Sequence, residues 1–152
     1  MSNYHKSSSH VQVEAEAIVF SMLEEKLGIT LEKNKPIYLA DNQYTYIQPD
    51  FYSKENCIIG EIFVHIGKPK KAQDNKIAND ILKMLLLDKV SGKLHRKIIV
   101  VCDDAEYNKL NGQSALAESI RQFNIEVLPI KIDDDLRNRI IEAQLRQKMT
   151  NV

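Results

Sequence analysis

The run CIIGEIFVHI at positions 57–66 constrains this chain more than any other stretch. Successive side chains of an extended strand point to opposite faces of a sheet. Cys57, Ile59, Glu61, Phe63 and His65 therefore share one face, and Ile58, Ile62, Val64 and Ile66 the other. A strand that is apolar on both sides belongs in the middle of a sheet covered above and below by helices. Glu61 is then a buried acid, and a buried carboxylate is costly unless a partner or a cation compensates it.

The remaining elements follow from periodicity and breakers. Residues 11–27 read as a helix stopped by Gly28, with Val13, Val19, Phe20, Leu23 and Leu27 gathered on one side together with Glu16. Residues 36–40 form a candidate first strand, and Asp41-Asn42 a turn. In the next strand, 44–51, Tyr44, Tyr46, Gln48 and Asp50 share a face, and Ser53-Lys54-Glu55-Asn56 turns the chain into the 57–66 run. A helix at 72–88 presents Ile77, Ala78, Ile81, Met84 and Leu85 to the core. Gln73, Lys76, Asp80 and Lys83 line its flank, with Lys76 and Asp80 spaced as a solvated i,i+4 pair. A central strand at 97–102 follows. Residues 105–123 are helical in parts, broken near Asn111-Gly112, with Asp104 as N-cap. A strand at 125–130 and an amphipathic helix at 133–148 complete an α/β chain of order α-β-β-β-α-β-α-β-α around a mixed sheet.

With 152 residues, 43% of them hydrophobic, the chain is large enough for one domain with a sizeable core. The polar, Ser-rich residues 1–10 are expected to be a disordered tail and 11–152 the domain. No apolar run approaches the about 20 residues that span a bilayer, and the N-terminus has no apolar core of a signal sequence, so a cytoplasmic protein without a membrane partner is expected. Cys57 and Cys102 sit in apolar runs and read as buried free thiols. The formal net charge is zero, yet residues 68–97 carry nine basic side chains against three acids. Such a locally basic segment suits a phosphate backbone, and equally suits an ordinary solvated surface.

Gln48-Pro49-Asp50 at the end of one strand, Glu61 in its partner, Glu16 on a preceding helix, and this element order resemble the PD-(D/E)XK superfamily of restriction-endonuclease-like nucleases over roughly residues 11–129. The resemblance implies Mg²⁺ (or Mn²⁺) held by Asp50 and Glu61 with Glu16 as a further acid, DNA as the substrate, and a catalytic lysine two residues after the second acid. That position is Phe63. Some members draw the lysine from the following helix, which makes Lys76 the substitute and Gln73 its neighbour. Lys68, Lys70, Lys71 and Lys83 would hold the DNA backbone, and a homodimer is compatible with the family. The expected activity is thus metal-dependent hydrolysis of DNA phosphodiester bonds. The alternative is a catalytically inactive protein of the same fold that binds nucleic acid or serves as a scaffold, and the plainest reading makes Asp50 and Glu61 solvated strand-end acids.

Overall fold

The computed structural model describes the backbone of residues 3–39 and 43–150 and the side chains of 9–39 and 43–149. Its elements are α1 (Asn3–Leu27), β1 (Glu32–Lys33), β2 (Ile37–Tyr38), β3 (Tyr46–Ile47), β4 (Phe51–Ser53), β5 (Ile58–Phe63), α2 (Lys71–Ser91), β6 (Arg96–Val101), α3 (Asp104–Leu110), α4 (Ala115–Gln122), β7 (Glu126–Pro129) and α5 (Asp134–Thr150). Five strands form a mixed sheet in the order β1-β4-β5-β6-β7. The β1/β4 and β4/β5 pairs are antiparallel, whereas β5/β6 and β6/β7 are parallel. The chain is a mixed α/β protein with helices on both faces of this sheet.

Strand β5 is buried along its whole length, and its alternation separates two cores. Ile58 and Ile62, with Phe51, Ile98 and Val100, meet Val11, Ala15, Val19 and Leu23 of α1 and Leu136, Ile140 and Ala143 of α5. Ile59 and Phe63, with Tyr52, Ile99 and Val101, meet Ile77, Ile81 and Met84 of α2, Leu110 of α3 and Ile120 of α4. The odd-numbered positions of β5, Glu61 among them, therefore face α2.

Several local expectations need correction. Helix α1 begins at Asn3 and so extends into the segment expected to be a disordered tail; once a helix is nucleated, each added residue gains one hydrogen bond at modest cost. Its buried positions Val11, Ala15, Val19 and Leu23 follow an i,i+4 stripe, which leaves Val13 61% exposed. The strand expected at 36–40 does not join the main sheet: β2 pairs with β3 in a separate two-stranded sheet. Asn34, with φ of 52°, turns the chain away after β1, and Pro49 has no N–H with which to continue a strand from β3 into β4. The expected turn at Asp41-Asn42 lies outside the described residues. Cys57 is half-buried, in a turn with φ of 52° ahead of β5, while Cys102 is buried. Asp104 is the first residue of α3 and Asp103 occupies the cap position. Asp103 spends its carboxylate elsewhere, accepting from Gly67 N–H at 3.0 Å and from Arg137 at 2.7 Å.

The basic segment is also smaller than its residue count. Lys97 is buried at 5% exposure and bonded to the Asp88 carboxylate and, at 3.0 Å, to the His95 carbonyl. His95 Nδ1 lies 2.8 Å from Asp88 Oδ1. Arg96 pairs with Glu126. Asp88 thus locks the C-terminal part of α2 to the start of β6, Arg96 ties β6 to β7, and these paired groups offer little charge to a ligand.

Candidate functional site

Register positions the two central acids. Phe51 pairs with Gly60 in the antiparallel β4/β5 ladder, and extending that register by one residue sets Asp50 opposite Glu61. A Cβ on Gly60 would lie 2.1 Å from the Phe51 ring and 2.3 Å from the Ile98 carbonyl oxygen, so only glycine lets Phe51 cross the strand there. Asp50 directly precedes β4, at the start of a strand rather than the end of one. Its Oδ2 accepts the Ile62 N–H at 2.7 Å, and its own N–H donates to Glu61 Oε2 at 3.3 Å.

Asp50 and Glu61 open into a pocket of about 170 Å³ whose other polar lining is Gln48, Lys76, Asp80 and Lys83. Asp80 was expected on the solvated flank of α2. Instead it is 6% exposed, and its Oδ2 is buried without a hydrogen-bond partner. The 3.6-residue period puts Asp80 next to Ile77, Ile81 and Met84, and the nearby sheet covers it. Burial raises its pKa; Lys76 and Lys83 act against that shift, and Asp50 adds to it.

Glu61 carries the largest effect. Burial, then the charge of Asp50 and a carboxyl–carboxyl hydrogen bond with it, then the charge of Asp80, push its pKa up to about 9. Crowding three carboxyls in this way favours a proton on Glu61. Among the described residues no group of three or more His, Cys, Asp and Glu side chains has the spacing to hold a metal ion. A magnesium ion asks for less, since it keeps several waters and uses one or two carboxylates together with substrate phosphate oxygens. Asp50 and Glu61 fit that donor set and would hold the ion, and the Asp80 Oδ2 in the same pocket has no hydrogen-bond partner among the described residues.

The structure divides the remaining expected site residues between two cavities. Lys76 lines the acid pocket and also a larger neighbouring cavity. Glu16 and Gln73 line the larger cavity and not the pocket of Asp50 and Glu61. Glu16 is half-buried and accepts a hydrogen bond from Gln12 at 3.2 Å. Gln73 caps α2, its Oε1 accepting the Lys70 N–H at 3.1 Å. The Lys76 ammonium lies 4.9 Å from the centre of the Phe63 ring. Lys68, Lys70, Lys71 and Lys83 are exposed, and Lys83 also reaches the acid pocket.

Two contributors escaped the sequence reading. Asp80 was masked by its i,i+4 spacing from Lys76. Glu14, absent from the expected site, makes a two-pronged ion pair with Arg139 that ties α1 to α5. No protein-family model, curated protein or solved structure matches the chain.

Proposed function

We propose that this protein is a divalent-metal-dependent nuclease that hydrolyses phosphodiester bonds in DNA, with a restriction-endonuclease-like arrangement of its sheet. The observation that carries the reading is the position of Lys76. Its ammonium lies over the ring of Phe63, the residue standing where the PD-(D/E)XK pattern has its lysine, while the side chain also lines the pocket of Asp50 and Glu61. Lys76 thus brings a cation to the wall of this pocket, where its charge acts on Asp80, although the strand does not supply one. The antiparallel pairing of β4 with β5, followed by the parallel β6 and β7, supports the same reading.

In this reading Asp50 and Glu61 would hold Mg²⁺ or Mn²⁺ through their carboxylate oxygens, Glu61 in its deprotonated form. The bound cation supplies Lewis-acid polarisation of the phosphate and lowers the pKa of water. Lys76 places a fixed positive charge where negative charge grows on the phosphoryl oxygens in the transition state. Lys83, exposed at the pocket edge, and Lys68, Lys70 and Lys71 beyond it hold the backbone electrostatically, so affinity falls with salt. The charges of Lys76 and Lys83 act on Asp80 from the same pocket wall.

The test is calorimetric titration of Mn²⁺ into the wild type, Asp50→Ala and Glu61→Ala, together with nicking of supercoiled plasmid. Binding lost in both variants, and nicking lost in both and in Lys76→Ala, is the expected result. Metal binding with no cleavage of any DNA sinks the catalytic assignment and leaves an inactive protein that binds or scaffolds nucleic acid.

A further inference from the structure

Beside the acid pocket lies a cavity of about 340 Å³, walled by α1, α5, the end of β5 and the start of α2. Its volume is that of a site for one small molecule, far too small for a duplex. Among the described residues three lysines, Lys70, Lys76 and Lys148, line it against a single acid, Glu16. The acid is already engaged by Gln12. The Gln73 oxygen is spent on the Lys70 N–H, so its amide NH₂ is the group left to donate. Gln144 is committed at both ends, accepting the Ile66 N–H at 2.9 Å and donating to the Ile66 carbonyl at 2.8 Å, which pins α5 over the end of β5. The lining thus combines donors and positive charge with an apolar surface of Phe63, Val64 and Ile140, the Lys76 ammonium lying over the Phe63 ring.

A ligand that joins a phosphate to a flat apolar ring matches that combination. We propose that this cavity binds a deoxynucleoside monophosphate unit as the terminal nucleotide of a DNA strand, its phosphate toward Lys70, Lys76 and Lys148 and its base against the apolar wall. The assignment rests on the nuclease reading above. Lys76 belongs to both cavities, so a strand end seated here lays its adjoining phosphodiester at the acids. The strand does not continue between α1 and α5, because the two helices pack on each other there through Val11, Ile140 and Ala143, which also line the cavity. The substrate class that follows is a DNA end rather than an internal stretch of duplex.

Two measurements on the full chain test this. Titration calorimetry with 2′-deoxyadenosine 5′-monophosphate in the presence of EDTA is expected to show binding that weakens at least about tenfold in Lys148→Ala, an exposed substitution whose fold is checked by thermal melting, and that weakens equally when deoxyadenosine replaces the nucleotide. Binding that ignores both Lys148 and the phosphate overturns the assignment. Mn²⁺-dependent cleavage is then compared on linear single-stranded DNA and on a closed circle of the same sequence. A preference for the linear form of tenfold or more, reduced in Lys148→Ala, supports the strand-end reading. Equal cleavage of both overturns it and leaves the nuclease standing. Cleavage of neither sinks the nuclease and the strand end together, and nucleotide binding that still depends on Lys148 would then assign the cavity to a free nucleotide.

Discussion

Asp50 and Glu61 are locked to each other through the backbone: the Asp50 N–H donates to Glu61 Oε2, and Asp50 Oδ2 accepts the N–H of Ile62, the residue after Glu61. One acid thus holds the strand that presents the other. Asp50→Ala should orphan the Ile62 N–H and cost about 1–3 kcal/mol, whereas Asp50→Asn keeps an oxygen for it and costs less. Both should lower cleavage at least about 100-fold. Urea denaturation and plasmid nicking with the two variants separate the structural part from the chemical part.

The raised pKa of Glu61 gives stability a definite slope with pH. Folded Glu61 keeps its proton up to about 9, while the unfolded chain loses it near its ordinary value of 4.5. Between those values the folded state binds more protons, so this contribution is complete below 4.5 and is lost as pH rises toward 9. In EDTA the wild type should lose stability relative to Glu61→Gln across that window, by roughly 1–3 kcal/mol at pH 8. Mg²⁺ should restore the wild type and leave Glu61→Gln unmoved. Scanning calorimetry of both proteins from pH 5 to pH 9 decides it, and parallel curves would remove the buried acid from the argument.

Lys76 is exposed and contacts the Phe63 ring. Lys76→Ala should change stability by no more than about 1 kcal/mol and yet reduce cleavage about 100-fold or more. Equal rates for the two proteins at saturating Mn²⁺ would show that the lysine has no part in the chemistry.

Gly60→Ala should be among the most damaging small substitutions in the chain. Its methyl group would meet the Phe51 ring and the Ile98 carbonyl, and the backbone oxygen cannot move without breaking the β5/β6 ladder. Overpacking of this kind costs about 1–3 kcal/mol or more. Because Phe51 adjoins Asp50, metal affinity should fall as well, which titration of the folded fraction will read.

The Asp88 carboxyl is held below its usual range: burial opposes the shift, and hydrogen bonds from Lys97 and His95 outweigh it. Its contribution to stability is therefore present above the ordinary aspartate range and is lost as pH falls through the depressed folded value. Asp88→Ala leaves Lys97 buried without its partner and should cost about 3–5 kcal/mol at neutral pH. Denaturation midpoints at pH 7 and pH 3 should differ less in the variant than in the wild type.

Local chemistry alone determined a good part of this protein. A strand of residues apolar on both faces had to be central, so Glu61 had to be buried, and the helix following it had to pack Ile77, Ile81 and Met84 on that strand. The break at Asn111-Gly112 and the amphipathic C-terminal helix were legible for the same reason, since turn chemistry and helical period act over a few residues. Tertiary structure decided what depends on distant partners. Which short strand borders β4 was settled by the kink at Asn34 and the missing N–H of Pro49, so Glu32–Lys33 took the place expected for 36–40. Asp80 and Lys97 were drawn from an apparently solvated charge run into the interior, because burial is set by the layer that arrives on top and not by a residue's own neighbours. Glu16, half-buried at the edge of the buried stripe of its helix, went to the cavity of Lys70 and Lys148 because the packing of α1 on α5 sets its reach. Periodicity specifies the face of an element, and only the docking of elements specifies what that face meets.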